Sequence, residues 1–212
     1  FGGEFYQIIV GGAAFNQEVE TLPHQLKFPY TVGYGATECA PIICYEDWKK
    51  FVPGSCGKAA YGMEVRINSA DPANIPGEIL VKGPNVMLGY YGDPELTAKT
   101  IRGGWLYTGD LGYIDKNGFI YITGRKKNII VSSSGKKILP DELESYLSRN
   151  RFIGESVVVG MVNPKKKDYD IVAVVRPNIS ALKEALGDDC TKEQIERELI
   201  AALRQINSSV PF

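Results

Sequence analysis

The stretch Gly118-Phe119-Ile120-Tyr121-Ile122-Thr123-Gly124-Arg125-Lys126-Lys127-Asn128-Ile129-Ile130-Val131 constrains the fold most, because its character changes twice along its length. From Gly118 to Ile122 the side chains alternate as in a strand, and Lys116-Asn117-Gly118 ahead of it is a turn of the kind that closes hairpins. A hairpin therefore delivers Arg125 to a domain edge. After it come an apolar strand at Ile129 to Val131, a small-residue loop at Ser132 to Gly135, and Pro140-Asp141-Glu142-Leu143-Glu144. The last of these suits a helix start, since proline lacks only a donor that would be unpaired there, and carboxylates favour that end. The cations between two foldable segments predict a hinge, with a sheet-rich first half and a smaller α+β second half.

The remaining chain is consistent with that division. Gly2 to Ala14 is an apolar run ended by two glycines and two alanines, which predicts a buried strand and a tight turn. A second strand, Tyr30 to Tyr34, runs into Gly35-Ala36-Thr37-Glu38. From Pro53 onward, glycine and proline punctuate short strands at Met63 to Asn68, Glu78 to Gly83 and Trp105 to Tyr107, the texture of a small distorted β-barrel. Asp93 to Arg102 predicts a short surface helix, and the apolar run Val86 to Tyr91 suits a barrel core. Valine-rich strands follow at Glu155 to Val162 and Ile171 to Arg176. The last helix opens at a Thr191/Gln194 capping box, with Ile195, Leu199, Ala202, Leu203 and Ile206 on one face.

Composition narrows the chemistry. A net charge of −1 gives no reason to expect nucleic acid or an anionic membrane as partner, although peripheral membrane contact stays possible. Four cysteines without a CxxC pair and a single histidine offer little for a zinc site and read as free thiols in a reducing cytoplasm. No apolar run approaches the length of a bilayer span.

Tyr34-Gly35-Ala36-Thr37-Glu38, Tyr107-Thr108-Gly109-Asp110-Leu111 and Gly124-Arg125-Lys126-Lys127, in that order, resemble the motifs of the adenylate-forming superfamily of acyl-CoA synthetases, luciferases and peptide-synthetase adenylation domains. The resemblance runs from Gly2-Gly3 to Pro211 and implies that the chain is a piece. The family's phosphate loop would lie before Phe1 and its catalytic lysine after Phe212. The implied fold is α/β and α+β: the end of a large α/β sheet domain over 1–52, a distorted β-barrel over 53–124, a hinge at 125–128, and a separate α+β lid over 129–212. The segment Ile138 to Glu144 resembles fatty-acid and aryl ligases more than amino-acid adenylation domains, and the expected protein is most like a long-chain fatty-acid–CoA ligase.

The family activates a carboxylate by attack on the α-phosphate of ATP and then transfers the acyl group to a thiol. That chemistry asks for charge neutralisation and alignment more than for acid–base groups. By resemblance, Glu38 would hold Mg²⁺ and Thr37 a phosphate, Gly12, Ala13, Ala14 and Tyr34 would line the base, and Gly35 and Ile122 would join them in binding the nucleotide. Tyr34 would present an aromatic face to adenine, and Gly35 would admit close backbone approach. Asp110 and Arg125 would take the ribose hydroxyls or the phosphate, because a carboxylate accepts from both hydroxyls and a guanidinium offers a fixed fork of donors. The plainer alternatives are a turn cap for Asp110 and a surface salt bridge for Arg125. Lys127 would be the hinge residue about which the second domain turns, bringing the loop at Ser134-Gly135 to the thiol. Lys165-Lys166-Lys167 reads as a solvated turn, with attraction of CoA phosphates as the alternative. The resulting expectation is a cytoplasmic ligase joining a fatty acid to CoA with ATP/AMP and Mg²⁺. Two alternatives remain: a fatty-acyl-AMP ligase loading a carrier protein, and a nucleotide-binding module without turnover.

Overall fold

Strands begin and end where glycine, proline and asparagine interrupt the apolar runs. The computed structural model describes residues 4–12, 17–131, 135–163 and 168–209, and the chain divides into two units, Phe1–Lys126 and Lys127–Phe212. The expected site residues Ala13, Ala14 and Ser134, and the lysines at 165–167, lie outside the described residues.

In the first unit β1 (Ile8–Val10) runs parallel to β2 (Tyr30–Val32) across helix α1 (Gln17–Gln25), the crossover that a parallel pair requires. β1 departs from the expected buried strand, since Ile8 and Ile9 are 43% and 55% exposed. Among the described residues its sheet has two strands, so a run that reads as fully buried is covered little. Glu20 ties α1 down, its carboxylate accepting from the Tyr30 hydroxyl at 3.3 Å and from the Gly54 amide at 2.9 Å.

Gly33 breaks the predicted second strand. Beyond it β3 (Tyr34–Gly35) pairs with β4 (Ile42–Tyr45), which pairs in turn with β5 (Lys58–Ala59). Next come β6 (Glu64–Asn68), β7 (Gly77–Lys82), helix α2 (Pro94–Thr100), β8 (Ile101–Arg102), β9 (Trp105–Ile114) and β10 (Ile120–Arg125). They form a curled five-stranded antiparallel sheet of order β10-β9-β7-β6, with β8 on β9. One sheet face supplies Ile67, Ile79, Val81, Leu106 and Ile120 to a core shared with Tyr34, Cys39, Ile43, Cys44, Cys56 and Met63. Each fully buried aliphatic side chain there contributes about 1.5–3 kcal/mol. The opposite face carries Arg66 over Trp105 at 4.3 Å and Arg102 over Tyr107 at 4.7 Å.

The apolar run expected in the barrel core divides. Val86 and Met87 pack on the core, whereas Leu88 and Tyr91 stand fully exposed. The short helix forms but stops at Thr100, two residues early, because Ile101–Arg102 pairs with β9 as β8; Asp93 caps α2, accepting from the Leu96 amide at 2.8 Å.

In the second unit a hairpin of β11 (Ile130–Val131) and β12 (Lys137–Ile138) leads into helix α3 (Pro140–Ser148). β13 (Ile153–Asn163) and β14 (Asp168–Pro177) make a long hairpin, followed by α4 (Ile179–Leu186) and α5 (Lys192–Ser209). Leu147, Ile153 and Val158 form the core with Leu143, Val175, Leu203 and Ile206 around them. The Glu144 carboxylate accepts from the Val158 amide at 2.8 Å, tying α3 to the hairpin. The capping box forms in both directions, with Thr191 N to Gln194 Oε1 at 2.8 Å and Gln194 N to Thr191 Oγ1 at 3.3 Å. Among the described residues no helix is long and apolar enough to cross a membrane.

Candidate active site

The middle of β9 carries the carboxylate around which the first unit's polar groups gather. Asp110 has a side chain only 10% exposed. Its Oδ2 accepts from the Tyr34 hydroxyl at 2.6 Å, and its Oδ1 pairs with Arg125 Nε at 2.9 Å. Thr108 fixes the backbone beneath it: its hydroxyl donates to the Ile79 carbonyl at 2.8 Å and accepts from the Asp110 amide at 3.1 Å. One carboxylate thus joins all three sequence motifs.

Two local irregularities produce this meeting. Gly109 adopts φ +74°, a left-handed conformation that costs glycine little, within β9. On β10, Ile122 opposes Gly112 but Gly124 opposes Leu111, leaving Thr123 as the extra residue of a bulge. An unbroken ladder would set Gly124 opposite Asp110, and the bulge sets Arg125 there instead. Ile122, expected among the nucleotide-binding residues, lies on this strand and is 43% exposed.

Tyr34 is 8% exposed, so most of its ring packs in the core while its hydroxyl holds Asp110. Burial, and then the hydrogen bond to Asp110, push its phenol well above the usual tyrosine range. Gly35 follows, and packing alone requires glycine there, since a Cβ would sit 2.1 Å from the Pro41 carbonyl oxygen. Thr37 and Glu38 then open a 3₁₀ turn, Thr37–Cys39, with Thr37 exposed and Cys39 fully buried. Ala40 closes it in the left-handed region at φ 51°.

Glu38 is half-buried and its Oε1 accepts from the Tyr90 hydroxyl at 2.8 Å. Tyr90 escapes sequence reading because it sits in a run whose apolar neighbours suggest a core. The paired glycine and tyrosines around it were the available signal. Among the described residues no group of three or more histidine, cysteine or acidic side chains could hold a metal ion. One hard carboxylate beside bound phosphates nevertheless suits Mg²⁺, which seldom uses an all-protein cage.

Gly12 is exposed at φ +86°, with open space where a Cβ would stand. Gly135, in the second unit, is likewise exposed, at φ +80°. Lys127 is exposed in the 3₁₀ turn Lys126–Asn128 and is the first residue of the second unit. Lys126, the last residue of the first, pairs through Nζ with Glu78 Oε2 at 2.8 Å, a carboxylate only 9% exposed. Beneath the site lie three free buried thiols, Cys39, Cys44 and Cys56. Burial, with the Glu38 charge second, pushes Cys39 up to about 11, and the Cys56 hydrogen bond, with burial second, raises Cys44 further.

Comparison with known proteins fits this arrangement. The AMP-binding enzyme family matches residues 2–91. A 2-succinylbenzoate–CoA ligase of Bacillus cereus (strain ATCC 10987 / NRS 248) is 36% identical over 174 residues, covering 80% of this chain and 36% of its own length. A 4-coumarate–CoA ligase 1 of Solanum tuberosum is 34% identical over 202 residues, covering 89% of this chain and 37% of its own. The chain therefore spans little more than a third of these relatives. The o-succinylbenzoate CoA synthetase of Bacillus subtilis, solved with its acyl-adenylate intermediate and with ATP and magnesium ion, matches with TM-scores of 0.70 and 0.71 at 29% identity. Those matches cover 89% of this chain and 40% and 41% of the synthetase. These similarities correct the expected likeness to long-chain fatty-acid ligases. The motif order, the curled sheet that carries it and the similarity across most of the chain make this chain similar to the AMP-binding, adenylate-forming enzymes.

Proposed function

We propose that this chain is part of an ATP-dependent acid–thiol ligase that forms an acyl-adenylate with release of pyrophosphate and passes the acyl group to CoA. The observation that carries the reading is Asp110, whose two oxygens join Tyr34 of the first motif to Arg125 of the third. A carboxylate fixed from both sides can accept from ribose hydroxyls without reorganising, which is the preorganisation that nucleotide binding rewards. Arg125 closes over the ribose or the phosphate. Thr37 offers its exposed hydroxyl to phosphate, and Glu38 gives a carboxylate oxygen to Mg²⁺, which when bound supplies charge neutralisation on the phosphates. Gly12, Ala13, Ala14, Gly35 and Ile122 border the base, and Tyr34 contributes by aiming Asp110. The division of the chain between Lys126 and Lys127 supports Lys127 as the hinge for the thioester step, with Gly135 in the loop that serves the thiol.

The acid we assign is a carboxylate bearing an aromatic ring. Both relatives carry such acids in their names, at 34–36% identity, and this replaces the fatty acid expected from the sequence. The test is acid-dependent ATP–pyrophosphate exchange by the full-length gene product across benzoate, cinnamate and fatty-acid series. Exchange with ring-bearing acids, followed by CoA thioester formation, is the expected result. Exchange restricted to aliphatic acids would overturn the acid class, and AMP binding without any exchange would replace the ligase by a nucleotide-binding module.

A further inference from the structure

We propose that Tyr90 is a positioning residue that aims Glu38 at the metal ion. The premise is the assignment of Glu38 to Mg²⁺ made above.

The 87–90 segment grips Glu38 at two points. The Met87 amide donates to the Glu38 carbonyl at 2.8 Å, and the Tyr90 hydroxyl donates to Glu38 Oε1 at 2.8 Å. Among the described residues the other oxygen, Oε2, takes no hydrogen bond, so it is the one left for a cation. Free carboxylates rotate about their last torsion, and a phenol on one oxygen fixes where the second points.

Tyr90 is itself held from behind. Its amide donates to Thr97 Oγ1 at 2.9 Å, and that hydroxyl donates to the Asp93 carbonyl at 2.8 Å within the capped first turn of α2. Gly89 completes the support, at φ +156° and with room for no Cβ, which would meet Thr97 Cγ2 at 2.6 Å. The chain of contacts runs from a helix N-terminus to one carboxylate oxygen.

Hydrogen-bond partners of metal ligands typically change metal affinity by about 10–100-fold when removed. Tyr90→Phe keeps the ring and deletes only the donor. The test measures Mn²⁺ binding to the full-length gene product with a non-hydrolysable ATP analogue, by water-proton relaxation. Mn²⁺ affinity should fall about tenfold in Tyr90→Phe, with the melting temperature little changed and the Mg²⁺ requirement of exchange raised while the KM for the acid stays put. In a Glu38→Gln background the same substitution should cost nothing further. Thr97→Val, which frees the Tyr90 amide, should shift Mn²⁺ affinity the same way by less. Unchanged Mn²⁺ affinity in Tyr90→Phe, with Glu38→Gln weakened, would overturn the positioning role alone. Independent, additive losses would overturn it too. Wild-type Mn²⁺ affinity in Glu38→Gln would overturn the metal assignment beneath it.

Discussion

Both units use antiparallel strands and both carry exposed ion pairs, such as Lys99–Glu95 in the first, but among the described residues only the first also buries one partner of a pair. In the first, Asp110 and Glu78 are 10% and 9% exposed at the side chain, each paired with a cation that reaches in from the surface. In the second, the pairs Glu155–Arg176, Arg151–Glu184 and Lys192–Glu196 are well over half exposed on both partners. Burying a carboxylate carries a desolvation cost that pairing only partly offsets, whereas exposed pairs contribute about 0–1 kcal/mol. A chain seldom keeps the costly arrangement for stability alone. The contrast therefore separates charges held in place at a desolvation cost from charges that solvate a surface.

The sharpest way to break that contrast is Asp110→Ala. Adenylation by the full-length gene product should slow about a hundredfold, with a raised KM for ATP, as when a preorganised polar group is removed from a reacting site. Unchanged kinetics would make Asp110 one more structural carboxylate. Gly35→Ala comes next, because a Cβ 2.1 Å from the Pro41 oxygen must displace backbone. Urea unfolding should report a loss of about 2–3 kcal/mol, and a change below half a kcal/mol would show that the turn yields.

A smaller effect follows from Cys39, whose thiol rises from the ordinary 9.0 to about 11. Between those values the unfolded chain sheds the proton and the folded one keeps it, so stability falls as pH rises through that window. Cys39→Ala should flatten that slope in unfolding free energies measured against pH. An equally steep slope in the variant would move the cause to the neighbouring phenols. Smallest of all, Arg176→Ala should change stability by less than about 0.5 kcal/mol, despite its contacts to Glu155 at 2.7 and 3.1 Å. A loss above about 1 kcal/mol would erase the distinction between the units.

Local signals in the sequence carried far. Helix α2, the Thr191 capping box and the β9–β10 turn rest on residues within a few positions of one another, and each lies where the residues predict. Long-range partnerships were less legible. Tyr34 reads as an open face for adenine, yet its hydroxyl is committed to a residue 76 positions later. No local pattern encodes the Thr123 bulge, so alternation alone would set Gly124, rather than Arg125, opposite Asp110. Leu88 and Tyr91 share the hydropathy of core residues and are exposed, while Val86 and Met87 turn to the core and Tyr90 to Glu38. The burial expected of β1 failed for a related reason: hydropathy reports what a strand would favour as cover, and among the described residues β2 is its one strand partner.

The Lys126–Glu78 pair has a mechanical consequence. Lys126 is the last residue of the first unit, and its ammonium is moored to a buried carboxylate on β7, a strand that pairs with β9 and not with β10. The β10 ladder that holds Arg125 against Asp110 therefore has a second mooring one residue beyond it, on an inner strand.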